Sequence, residues 1–182
     1  MKERILKKTG IRTQALAALL AVAAAVVIPQ ICHLAGQAAG VGNGLGTTLL
    51  PMHLAVLAVG LLAGPWAGLA AGALSPAVSF ALTGMPAAVM LPSMTVELAV
   101  YGLVTGLLRG TKMPVVGQVL AAQIAGRLVK AGFLALMVYG FGQTAVSVAS
   151  VWTATVQGLL GILLQLALIP LFVYRARSAD RD

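Results

Sequence analysis

The chain has 182 residues, of which 60% are hydrophobic and 9% are charged, and its formal net charge is +8. Soluble domains carry about 25% charged residues, so this composition excludes a soluble globular protein and indicates an integral membrane protein. The basic residues flank long apolar runs, as the positive-inside rule expects, and this argues against nucleic acid as their partner.

Long continuous apolar runs predict membrane-spanning helices rather than barrel strands, which would alternate over short segments. The run at residues 51–82 would be about 48 Å long as one helix, well beyond a bilayer core of roughly 30 Å. Gly64 and Pro65 mark a turn within it, because proline interrupts helical hydrogen bonding. We therefore predict one all-α domain, a compact bundle of six transmembrane helices in the lipid bilayer, with spans at about 13–32, 52–63, 66–82, 87–108, 114–140 and 149–174.

Charge placement predicts the orientation of this bundle. Lysines and arginines occur before the first span, in the loop at 109–112 and after the last span. With six spans these three segments share one side of the membrane, and the positive-inside rule places both termini in the cytoplasm. The loops on the other side contain no lysine or arginine.

Small residues at every fourth position predict close contacts between helices. One set comprises Gly60, Gly64, Gly68 and Gly72, a second comprises Gly102, Gly106 and Gly110, and alanines form a third at Ala17, Ala21 and Ala25. Five further glycines fall within residues 36–46 of the first outer loop. Such a loop is either a functional lid or a disordered connector.

Three charged residues lie deep within the predicted spans: Glu97, Arg127 and Lys130. A charge at the bilayer centre costs at least roughly 2.5–3.5 kcal/mol, so each needs a partner or a polar cavity. Helical rise places all three in the outer half of the membrane. Two cations against one acid favour a pocket for an anionic group. The alternative is a structural or assembly subunit in which Glu97 and Arg127 clamp two helices while Lys130 reaches outward to water.

Other polar and aromatic residues extend the candidate substrate-binding set. Gln123 lies one helical turn before Arg127, and Tyr101 lies one turn after Glu97. The set is completed by Asn43, His53, Trp152 and Gln157. For Trp152 we favour an interfacial anchor, and His53 is equally well a helix-end histidine in the headgroup region.

The sequence offers little for catalysis. It contains no second carboxylate near Glu97, no His/Cys cluster with metal-ligand spacing and no P-loop for ATP. We therefore expect neither enzymatic activity nor a bound metal or cofactor. A small secondary carrier with Glu97 as a proton relay is a further alternative, although no inverted repeat is apparent.

A series of short segments resembles a known family. They are Leu50-Pro-Met-His-Leu54, Ala63-Gly-Pro-Trp-Ala-Gly68, Ser75-Pro76, Thr83-Gly-Met-Pro86 and Glu97-Leu-Ala-Val-Tyr-Gly102. Their order and spacing are similar to those of the substrate-binding S components of energy-coupling factor (ECF) transporters, which import vitamins into bacteria.

This resemblance implies a function and partners. The chain would capture a water-soluble vitamin or vitamin precursor outside the bacterial plasma membrane, beneath a lid at residues 32–50. It would then dock on a transmembrane coupling subunit through Ala17, Ala21 and Ala25, while two separate ATP-binding subunits hydrolyse ATP. The positive pocket favours an acid such as pantothenate as the substrate. Pyridoxine, hydroxymethylpyrimidine and a cobalamin precursor are the alternatives.

Overall fold

The computed structural model describes residues 10–42 and 44–179, and this part of the chain is helical with no strand. Its helices are α1 Ile11–Ala38, α2 Gly44–Leu49, α3 Pro51–Ala63, α4 Pro65–Thr83, α5 Leu91–Leu108, α6 Val115–Ala135, α7 Ser150–Gln157 and α8 Leu159–Ala179. A π-helical turn at Leu136–Gly140 extends α6. With α2 and α3 taken together, six segments are long and apolar enough to cross a membrane. The prediction of an all-α bundle with six transmembrane helices is confirmed.

The reversal between α3 and α4 depends on a glycine and a proline. Gly64 adopts a φ of +117°, which a residue with a side chain rarely tolerates. Pro65 begins α4, where its missing N–H leaves no helical hydrogen bond unmade. The chain therefore turns within one residue, and α3 and α4 run in opposite directions.

Two segments differ from the predicted boundaries. The expected lid loop at 32–50 is mostly helical, because α1 continues to Ala38 and α2 follows after a short turn. Pro29 does not end α1, as is common for proline in membrane helices. The last predicted span is two helices separated at Gly158, whose missing side chain leaves room for Leu50.

Because the helices alternate in direction, the bundle has two distinct ends. At one end the Arg109 guanidinium and the Gln14 amide lie beside Gly64. We call this the basic end, because it also contains the loop at 109–112 and the last turns of α8. At the opposite end, α2 packs against α1 and α8, and α7 packs against α6 and α8. That the basic end faces the cytoplasm remains a prediction from charge placement.

Glycines allow the closest helix contact in the bundle, between α4 and α5. A Cβ at Gly68 would overlap the carbonyl oxygen of Gly102, and a Cβ at Gly102 would overlap that of Gly68. Gly72 lies in the same way against the backbone of Leu98, and Gly106 against that of Pro65. The predicted role in close packing is confirmed for these four glycines, but it is wrong for Gly110, where a Cβ would meet no atom within 4 Å. The close contact with α4 fixes the position of α5, the helix that carries Glu97.

The alanine stripe of α1 packs inside the bundle. Ala21 and Ala25 are buried within the chain itself, Ala25 completely, and Ala17 is partly buried. Their small side chains let α1 pack against α3 and α4, which is an internal contact. This internal packing accounts for Ala21 and Ala25 without a second subunit, and the docking role of the stripe stays a prediction.

Candidate functional site

A cavity of about 280 Å³ lies at the end of the bundle opposite the basic end. Its wall is built from α1, α2, α3, α4, α5, α6 and α7 together with the turn before α5. Pockets for small ligands are typically about 300–1,000 Å³, so this volume suits a small solute. The charged wall residues are Glu97, Arg127 and Lys130, and the histidines are His33 and His53.

Glu97 and Lys130 form an ion pair across the α5–α6 contact. Lys130 Nζ lies 2.7 Å from Glu97 Oε2, and the carboxylate is 95% buried. The Tyr101 hydroxyl donates a hydrogen bond to the other oxygen, Oε1, at 2.7 Å. Both carboxylate oxygens therefore have partners. The alternative of a clamp between Glu97 and Arg127 is wrong in its partner, because Lys130, one turn further along α6, forms the ion pair.

Arg127 lies in the same wall without an acidic partner. Its Nε donates a hydrogen bond to the Thr155 hydroxyl of α7 at 2.9 Å. Its guanidinium carbon is 6.0 Å from the centre of the Tyr101 ring, within the range of a cation–π contact. No carboxylate among the described residues lies within ion-pair distance of this guanidinium. Arg127 is therefore a partly buried cation that faces the cavity without charge compensation.

Tyr101 lies beneath the cavity and connects these groups. Its ring is fully buried and packs over Gly126 of α6, where a Cβ would overlap it. The small residue at 126 thus allows α5 and α6 to approach at the depth of the ion pair. Tyr101 itself is not part of the cavity wall. Its contacts with Glu97 and Arg127 give it a supporting position.

His53 presents an unpartnered polar atom in the cavity wall. The residue is only 7% exposed, and its ring packs at 5.5 Å from the Tyr101 ring. Its Nδ1 is buried and has no hydrogen-bond partner among the described residues. Buried polar atoms in folded proteins nearly always have a partner, so this atom is available to a bound molecule or water.

The remaining predicted residues divide between the cavity wall and elsewhere. Gln157 contributes to the wall. Gln123 faces α8, where its side-chain amide donates to Gln165, and Trp152 is 73% exposed and outside the wall. Gln123 is absent from the wall because its helix face turns towards α8, and Trp152 is absent because its helix face turns away from the bundle. Asn43 lies outside the described residues.

Sequence reasoning missed much of the apolar wall. Four of the seven methionines of the chain line the cavity: Met52, Met85, Met90 and Met94. Methionine is flexible and polarizable, and it adapts well to ligands of varied shape. Their concentration between positions 52 and 94 could have indicated the cavity wall, but in an apolar sequence each methionine is equally typical of the hydrophobic core. Thr155 was also missed, since only the fold brings it to Arg127.

Comparisons with known proteins give one match. A family model described as the ECF transporter substrate-specific component matches residues 12–173. The matched region includes all eight helices except the ends of α1 and α8. No curated protein and no solved structure matches the chain.

Proposed function

The chain belongs to the family of ECF transporter substrate-specific components, and from this premise we propose that it captures a small acid-bearing vitamin or vitamin precursor. Members of this family are substrate-binding subunits rather than enzymes, and they serve uptake through an ECF module. Family membership supports a small-molecule substrate in general. The chemistry of the cavity supports the narrower choice.

The observation that carries this proposal is the uncompensated charge of Arg127. Glu97 is already engaged by Lys130 and Tyr101, so the cavity keeps a surplus positive charge. A guanidinium binds a carboxylate strongly and directionally, through hydrogen bonds that are assisted by charge. A carboxylate of the substrate would therefore supply the partner that the protein does not provide.

The rest of the wall supports a substrate with an apolar portion and a few polar groups. The methionines and the prolines Pro29, Pro51 and Pro86 offer an apolar surface. His53 Nδ1 offers a hydrogen-bond acceptor or donor to a hydroxyl or amide group. Pantothenate combines a carboxylate, hydroxyls and an amide with methyl groups, and it is our first candidate. Pyridoxine and hydroxymethylpyrimidine lack a carboxylate that could bind Arg127. A complete corrin ring is too large for the volume of the cavity.

We further propose a location and partners. The chain would lie in the plasma membrane of a bacterium, with the cavity facing outward and the basic end in the cytoplasm. Delivery would require docking on a transmembrane coupling subunit with two ATP-binding subunits. The family membership supports ECF module partners of this kind in general.

The experiment that tests the substrate class compares two matched ligands. The purified chain is titrated with pantothenate and with pantothenol, in which a hydroxymethyl group replaces the carboxylate. We expect pantothenate to bind without ATP, and pantothenol to bind at least about 100-fold more weakly, as loss of about 3 kcal/mol from a charged hydrogen bond implies. Equal affinities would contradict the role given to the carboxylate. If neither compound binds but a different vitamin acid does, pantothenate would be excluded as the substrate, and the class of acid-bearing substrates would be retained.

A further inference from the structure

Two buried glutamines connect the transmembrane core to the edge of the cavity. Gln123 of α6 and Gln165 of α8 are 4% and 1% exposed. Gln123 Nε2 donates to Gln165 Oε1 at 2.7 Å, and Gln165 Nε2 donates to the Leu50 carbonyl at 3.3 Å. The first bond fixes the oxygen of Gln165 as an acceptor, so its NH₂ group is directed at Leu50. The amides thus form a chain from α6 through α8 to the start of α3.

Leu50 is the connection between α2 and α3, and its backbone is unusual. It has φ +49° and ψ +49°, and among the described residues it is the single non-glycine with positive φ. Left-handed conformations are unfavourable for a side chain such as leucine and persist only where surrounding contacts hold them. The hydrogen bond from Gln165 is one such contact. The Leu50 side chain also contributes to the cavity wall.

The short helix α2 lies over the cavity and is held mainly from its sides. Its residues Gly46 and Thr47 belong to the cavity wall, and none of its residues is fully buried. Gly46 packs on the ring of His33 of α1. On the other side, Gly161 of α8 contacts the backbone of the last turn of α2. Helix α2 therefore has little hydrophobic burial of its own to keep it in place.

From these contacts we propose that Gln123 and Gln165 are positioning residues that hold α2 closed over the cavity through the Leu50 carbonyl. Neither glutamine belongs to the cavity wall, so neither has to touch the substrate for this role. The Leu50 carbonyl also accepts backbone hydrogen bonds from His53 and Leu54 at the start of α3. Loss of the bond from Gln165 would leave these in place but remove the side-chain tether between α8 and the α2–α3 connection. Helix α2 would then move away from the cavity more often. This inference depends on the proposed function in one respect, namely that the cavity is the site where the substrate binds.

Access to the cavity can be measured without a ligand, by the reaction of a single buried thiol. Cys32 is the one cysteine of the chain, and Cys32→Ser gives a background without thiols. Ser79→Cys then places a thiol in the cavity wall at a position that is 2% exposed. The rate of its modification by a water-soluble methanethiosulfonate reagent reports how often the cavity opens.

Replacement of each glutamine by methionine removes the amide and keeps a similar length. Gln165→Met should raise the modification rate of Ser79→Cys at least tenfold. Gln123→Met, which leaves the bond from Gln165 to Leu50 in place, should raise it less. Gln118 is the matched control, because it is also a buried glutamine of α6 but bonds the Met113 carbonyl at the basic end. Gln118→Met should leave the rate unchanged within twofold.

A second thiol separates opening of α2 from general loosening. Ser75 lies one turn from Ser79 on α4, is fully buried and is not part of the cavity wall. Ser75→Cys should stay unreactive in the Gln165→Met protein. An unchanged rate at Ser79→Cys, or an equal rise at both thiols, would overturn the proposal. If Gln165→Met does not fold, Gln165→Asn, whose shorter side chain cannot reach Leu50, has the same expected result. Because no ligand is used, failure to bind pantothenate does not affect this outcome.

Discussion

Lys130 and Glu97 form an ion pair of 2.7 Å that joins α6 to α5 at the wall of the cavity. Glu97 is the single acidic residue between positions 4 and 179 of the sequence. Only one ion pair is therefore available to Arg127 and Lys130, the two cations of α6, and Lys130 forms it. The consequence is an arginine in the cavity wall whose charge is left for another molecule to balance.

The first prediction concerns Arg127. Arg127→Ala should weaken binding of a carboxylate substrate about 100-fold, because a charged hydrogen bond is worth about 3 kcal/mol. Arg127→Lys should recover part of the affinity, since it keeps the charge but loses the planar geometry. Isothermal titration of the purified proteins measures both effects.

The control for Arg127 is an arginine at the other end of the bundle. Arg175 is an exposed residue of α8 near the basic end. Arg175→Ala should bind as the parent does. If Arg127→Ala retained parent affinity, the carboxylate would have to bind elsewhere in the cavity.

The second prediction concerns the ion pair itself. Glu97→Gln leaves the partly buried Lys130 without its counter-charge, and breaking a fully buried pair in this way costs about 3–5 kcal/mol, which is the upper limit here. The double variant Glu97→Leu with Lys130→Leu removes both charges and should unfold at a higher temperature than Glu97→Gln. Thermal unfolding in detergent tests this order. A single variant as stable as the parent would show that the pair is not needed for packing of α5 on α6.

The third prediction concerns the contact between α4 and α5. Gly102→Ala should destabilise the fold by about 1–3 kcal/mol, because the added methyl group overlaps the backbone of Gly68. Gly132 of α6 is the matched control, since a Cβ there meets no atom within 4 Å. Gly132→Ala should be neutral or slightly stabilising. Equal loss of stability in both variants would contradict the packing role of Gly102.

The fourth prediction concerns the packing of the alanine stripe of α1. Ala25 is completely buried, whereas Ala23 of the same helix is exposed. Ala25→Leu should lower the unfolding temperature and reduce the yield of folded protein, because the core has no room for three more carbons. Ala23→Leu should fold as the parent does. A stable Ala25→Leu protein that binds substrate but fails only in transport would contradict this packing role and support docking at this position.

Much of the architecture could be predicted because it depends on composition and on local chemistry. The length of the apolar runs indicates the helices, and Gly64 with Pro65 indicates the reversal between α3 and α4. The spacing of Gly68 and Gly102 indicates close packing. Each of these signals acts over a few residues and needs no knowledge of the neighbouring helix.

The rotation of each helix could not be predicted in the same way. Arg127 and Lys130 lie three residues apart on α6, and both were near enough in depth to meet Glu97. Only the packing of α6 on α5, set by Gly126 against Tyr101, decides that Lys130 reaches it. The alanine stripe of α1 was ambiguous for the same reason, since a stripe of small residues suits a contact inside the bundle as well as a contact with another subunit. Helix α2 was missed because its glycines are typical of a loop.

We have proposed that the cavity binds a small acid through Arg127. Native mass spectrometry of the protein purified gently from cells grown in rich medium tests it most directly. We expect a bound small molecule that carries a carboxylate, is released on activation, and is absent from Arg127→Ala prepared in parallel. A neutral or cationic bound molecule, or the same molecule retained equally by Arg127→Ala, would contradict it.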